Sequence, residues 1–138
     1  MSLRFVLAPL FVQVALTFVL MFGMAGLRRK ALVTKEVHPK DIALREPNWP
    51  KRATQFANAY HNQLELPILF YVLTILELIT RQADLLFVIL SWVFVVCRIV
   101  QAFIHTTNNR VMRRGMAFGV SAMALVVMWI AFGIRLLL

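Results

Sequence analysis

Residues 57–80 read ANAYHNQLELPILFYVLTILELIT, an apolar run of membrane-crossing length whose first half carries Asn58, His61, Asn62 and Glu65. A hydrocarbon core about 30 Å thick is crossed by about 20 mostly apolar residues of helix. The run meets that length, and so do residues 5–27, 85–107 and 115–138. The first of these carries no charge, the second only Arg98, and the third Arg135 near its end. The four runs predict an all-α integral membrane four-helix bundle, one domain over residues 1–138. A soluble domain is about 45–50% apolar and about 25% charged. Here 61% of the residues are hydrophobic and 15% charged, which also excludes a disordered chain, a collagen-like chain or a disulfide scaffold.

The connections set the orientation. Residues 28–56 hold Arg28, Arg29, Lys30, Lys35, Lys40, Arg45, Lys51 and Arg52 against Glu36, Asp41 and Glu46. The third connection adds Arg110, Arg113 and Arg114 without an acid. Excess Lys and Arg mark cytoplasmic loops. Both of these loops are therefore expected in the cytoplasm, with both termini on the outer side. The net charge of +9 reads as a topology signal and an attraction to anionic headgroups, not to nucleic acid. The first run is expected to stay as a span, because it ends on Leu27-Arg28-Arg29-Lys30 where a signal peptide would carry small residues. Trp49 suits an interfacial anchor. The short second connection, residues 81–84, makes its two helices antiparallel neighbours.

Charges inside a span are costly and face the bundle interior. Counted from the expected cytoplasmic ends, near Ala57 and Thr107, Glu65 lies about 12 Å into the second span and Arg98 about 13 Å into the third, at 1.5 Å per residue. The two are expected to pair, within a chain or across a subunit boundary. Asn58, His61, Asn62 and Glu65 share one arc of their helix, and Arg98, Gln101 and His105 share another. Two facing polar stripes with Arg113 and Arg114 at their mouth describe a basic chamber suited to an anionic polar ligand. Structural glue between helices is the plainer reading of the Glu65–Arg98 pair alone. A proton-coupled carrier using Glu65 is a third reading, disfavoured by the nearby Arg98. Glu77 is expected to form an i,i+4 pair with Arg81. Pro67 should kink the second helix and free the carbonyl of Gln63. His38 reads as solvated and Cys97 as an inert small residue. No metal-ligand spacing, phosphate loop or nucleophile elbow occurs.

Asn62-Gln63-Leu64-Glu65, followed by Pro67 and Phe70, resembles the second-helix signature of the MAPEG family, the membrane-associated proteins of eicosanoid and glutathione metabolism. Arg98-Ile99-Val100-Gln101 and the Arg114 opening of the fourth helix are similar in spacing, and the likeness covers most of the chain. It is that of a divergent, bacterial-type member, which would lie in the inner or plasma membrane. The resemblance implies a homotrimer surrounded by membrane lipids. It implies glutathione as cosubstrate near the cytoplasmic side, and the absence of metal-ligand spacing adds the expectation of no metal. Asn62 and Glu65 would hold the tripeptide backbone, with Arg98 completing the network. Gln101, His105, Asn58 and Arg113 would add contacts, and Arg114 would stabilise the thiolate as the catalytic cation. The implied activity is thiol transfer to, or reduction of, an apolar small-molecule electrophile. The chain departs from the pattern at Asn58, where many family enzymes have arginine, and at His105 and Phe118, where they have tyrosines; Pro67 also follows the glutamate more closely than in mammalian members. These departures support the alternative, a non-catalytic lipid-binding or membrane-complex accessory protein.

Overall fold

The computed structural model describes residues 1–44 and 47–138. Arg45 and Glu46, counted above among the loop charges, lie outside the described residues. Among the described residues five α-helices follow one another: α1 (Leu3–Val33), α2 (Lys51–Asn62), α3 (Leu66–Ile79), α4 (Leu85–Thr106) and α5 (Val111–Leu137). No strand occurs among the described residues. Four helical stretches among the described residues are long and apolar enough to cross a membrane, with α2 and α3 together forming the second. The protein is a multi-pass integral membrane protein.

The helices run past the apolar spans at the basic ends. α1 continues through Arg28, Arg29 and Lys30 to Val33, and α2 begins at Lys51. Lys30 in the last turn of α1 complements the negative end of the helix dipole. Three chain reversals are closed without glycine. Lys35, Arg81 and Asn109 adopt positive φ (57°, 55° and 51°) just beyond α1, α3 and α4. An amide past each helix returns to a carbonyl five residues back: Glu36 to Ala31, Gln82 to Glu77 and that of Asn109 itself to Ile104. These bonds satisfy carbonyls that the helix leaves free. α4 starts sharply because the Asp84 side chain accepts from the Phe87 amide at 2.8 Å.

The sequence implied a kink near Pro67; the structure shows a full break over residues 63–65. Gln63 and Leu64 close α2 with tight bonds to the Tyr60 and His61 carbonyls (2.9 and 3.0 Å). Glu65 then takes a non-helical conformation, and Pro67 sits in the first turn of α3, where its missing N–H costs nothing.

α4 packs most extensively on α5 and also against α1 and α2. The larger core cluster joins Val6, Phe70, Leu73, Phe94, Leu125 and Met128, with the Phe70 and Phe94 rings stacked at 4.9 Å. A smaller cluster nearer the long loop contains Leu20, Ala59 and Ala102. There Gly23 lets the Phe56 ring approach α1, since a Cβ at Gly23 would lie 2.5 Å from that ring. Many large apolar side chains face outward, among them Phe11, Phe22, Ile75, Phe103 and Met123, as lipid-facing surfaces require.

Candidate functional site

A polar layer separates the two core clusters, and the break between α2 and α3 creates it. Ending α2 at Asn62 leaves main-chain carbonyls without amide partners, so side chains from neighbouring helices fill in. Arg98 of α4 donates from Nη2 to the Asn62 carbonyl at 2.5 Å. Gln13 of α1 donates to Gln63 Oε1 at 2.9 Å, and Gln63 donates back to the Ala59 carbonyl at 3.1 Å. Two turns further along α4 from Arg98, His105 Nδ1 lies 3.4 Å from Asn62 Nδ2. Arg52, at the start of α2, donates to the Thr106 carbonyl at the end of α4. The broken helix is thereby tied to both neighbours.

Arg98 is fully buried, yet its Nε and Nη1 have no partner among the described residues. Gln101, one turn along the same face, is also buried with an unpartnered Oε1. The Phe118 ring of α5 lies 6.0 Å from the guanidinium carbon, a cation–π contact. Arg114 stands near His105 but is held by Asn109 Oδ1 at 2.7 Å. The layer thus offers two unpartnered guanidinium nitrogens, an imidazole, two amides and a nearby second arginine. Such a set can hold the carboxylates and amides of a polar anion.

Asn62, Arg98, Gln101, His105 and Arg114 come together here. Other expected members do not. Glu65 is exposed at the break and makes no ion pair with Arg98; among the described residues the only ion pairs are those of Arg135. The within-chain Glu65–Arg98 pair is therefore corrected. Once the helix breaks after Asn62, the arc drawn through residues 58–65 of a continuous helix no longer exists. Buried Gln63 takes the inward place, and the main chain supplies the acceptor for Arg98. Asn58 and His61 line a different cavity of about 540 Å³, between the end of α1, the long loop and α2. Arg28 caps its wall, stacked 4.9 Å over Trp49, which ties that tryptophan to α1. Arg113 is exposed.

The expected Glu77–Arg81 pair is also corrected. Glu77 is fully buried and pairs with Arg135 at 2.6 Å; Arg135 also meets Asp84 at 2.7 Å and donates to the Gln82 carbonyl at 3.0 Å. Arg81 lies past the end of α3 at a positive φ, outside the helical i,i+4 geometry the expected pair relied on. Sequence reading missed Gln13 for want of a charge, although an amide in a long apolar run is itself a signal of an inward face. Among the described residues no group of His, Cys, Asp or Glu is arranged to hold a metal ion.

A model of the MAPEG family matches residues 6–134 of the chain. No curated protein and no solved structure matches.

Proposed function

The chain belongs to the MAPEG family, and from that premise we propose that the polar layer binds glutathione or a related thiol and transfers it to apolar electrophiles. The observation that carries this reading is the buried Arg98 with Nε and Nη1 unpartnered. Leaving charged donors dry and unbonded costs at least about 1–3 kcal/mol, and an anionic ligand offsets that cost. Asn62 and Gln101 supply amides for the peptide groups of the thiol, and His105 supplies a further donor or acceptor. Arg114, and Arg113 beside it, would stand as cations near the sulfur. A free thiol has a pKa of about 8.5, so a nearby cation raises the thiolate fraction at neutral pH. The lipid-facing helices admit an apolar electrophile laterally. Assembly as a homotrimer and a cytoplasmic opening belong to the same proposal.

Thermal unfolding of the purified protein in detergent, titrated with glutathione, tests this reading. We expect saturable stabilisation. No shift at millimolar glutathione, with the protein folded, sinks it.

A second reading is a non-catalytic lipid-binding or accessory role. The Phe118 ring against Arg98 and the Asn109 bond that holds Arg114 favour it, since both engage cations that the chemistry requires. Turnover of a chromogenic electrophile with glutathione would exclude it.

A further inference from the structure

The opposite end of the bundle holds a second cavity, of about 270 Å³, lined by Met1, Leu3, Val6, Glu77, Leu78, Arg81 and Ala83. It shares no residue with the polar layer. Glu77 is fully buried, and Arg135 engages only its Oε1. Oε2 has no partner among the described residues. A buried carboxylate oxygen without a donor is a deficit that a ligand N–H can fill. Arg135 meets Oε1 through Nη2 and does not bond Oε2, its Nη1 going to Asp84 and the Gln82 carbonyl and its Nε to the Ala131 carbonyl.

Across the same cavity, Arg81 is exposed, and its position is fixed by the reversal that closes α3. A guanidinium there is suited to phosphate. The remaining walls are the Met1 end of the chain and the apolar side chains of Leu3, Val6, Leu78 and Ala83, and the cavity sits where α1 starts and α3 ends, at the depth of a membrane–water boundary. The wanted ligand therefore carries an N–H-bearing cation, a phosphate beside it and an apolar remainder.

We infer that this cavity is a headgroup site for a phospholipid with a primary ammonium, of the phosphatidylethanolamine class. The ammonium donates to Glu77 Oε2 and the phosphate meets Arg81. A primary ammonium has three N–H donors, whereas a quaternary choline has none, so the site separates two zwitterions of equal charge.

Delipidated protein in detergent is titrated with dioleoyl phosphatidylethanolamine, phosphatidylcholine or phosphatidylglycerol, and bound lipid is counted per chain by native mass spectrometry. The ethanolamine lipid should bind roughly tenfold more tightly than the choline lipid, the equivalent of one hydrogen bond to a charged group. Glu77→Gln, which keeps an acceptor for Arg135, should abolish that preference. Arg81→Asn, which tolerates the positive φ, should weaken the ethanolamine lipid severalfold and keeps the test alive if the Glu77 variant does not fold. Equal binding of ethanolamine and choline lipids by the wild-type protein overturns the inference, as does an ethanolamine-lipid affinity unchanged in Arg81→Asn. Binding of phosphatidylglycerol equal to the ethanolamine lipid overturns the ammonium contact. Free phosphoethanolamine competing as strongly as the lipid overturns the assignment to a lipid.

Discussion

Arg98 of α4 bonds to the main-chain carbonyl of Asn62, not to the carboxylate of Glu65 three residues further on. A side-chain cation thus stands in for the backbone amide that a continuous helix would have supplied. The break in the second span and the burial of Arg98 are two sides of one arrangement, because neither the carbonyl nor the guanidinium could remain in a dry interior alone.

Arg98→Met should lower stability by about 1–3 kcal/mol, the cost of leaving a buried acceptor without its donor. Thermal unfolding in detergent reads this directly. Glu65→Gln should shift the midpoint far less, since Glu65 is exposed and makes no ion pair among the described residues. A larger loss in the Glu65 variant than in the Arg98 variant would contradict the hydrogen-bond pattern seen here.

Arg114→Ala tests whether the layer is chemical. Arg114 is only part-buried and bonds to Asn109 at the edge of the bundle. Its removal should cost little stability but eliminate glutathione-dependent turnover if it serves the sulfur. Activity retained at wild-type level would remove Arg114 from the proposed mechanism.

Arg135→Ala leaves the buried Glu77 carboxylate without its cation, and should cost about 3–5 kcal/mol. The double replacement Glu77→Leu with Arg135→Leu should recover most of that loss, because neither charge is then stranded. Denaturation of the two variants side by side gives the comparison. A double variant no more stable than Arg135→Ala would mean that the ion pair itself, rather than the stranded charge, sets the cost.

Gly23→Ala should destabilise by about 1–3 kcal/mol, the usual penalty of overpacking. A methyl there meets the Phe56 ring at 2.5 Å. Phe56→Leu in the same chain should restore part of the loss. If Gly23→Ala melts at the wild-type temperature, the close approach of α1 and α2 is looser than described.

Lys35→Gly should stabilise the protein by about 1 kcal/mol, because glycine adopts positive φ without the clash an L side chain meets. Lys35 is exposed, so the substitution removes no buried contact. An unchanged or lowered unfolding midpoint would argue against the left-handed cap.

The spans were legible because twenty apolar residues in a row have few other uses, and Arg98 was legible as an inward group because charge inside a membrane is costly. Its partner was not. The periodicity argument assumed that residues 57–80 form one continuous rod, and the arc through Asn58 and Glu65 vanished with the three-residue break. Glu77 was misread for a related reason. Arg81 is four residues away along the chain, but Arg135, 58 residues away, is brought beside Glu77 by the end of α5. Proximity in sequence is a weak guide where antiparallel helices return to the same level. Gln13 shows the opposite failure, since an uncharged amide raised no alarm yet is buried against Gln63.

Because the second crossing is two shorter rods joined by an irregular link, each half takes its bearings from a different end of the protein. The segment before the link answers to the basic loop and to His105, and the segment after it to Asp84 and Arg135. Amino-acid changes at the two extremities should therefore combine as independent increments, leaving evolution free to remodel one face of the membrane while the other stays as it is.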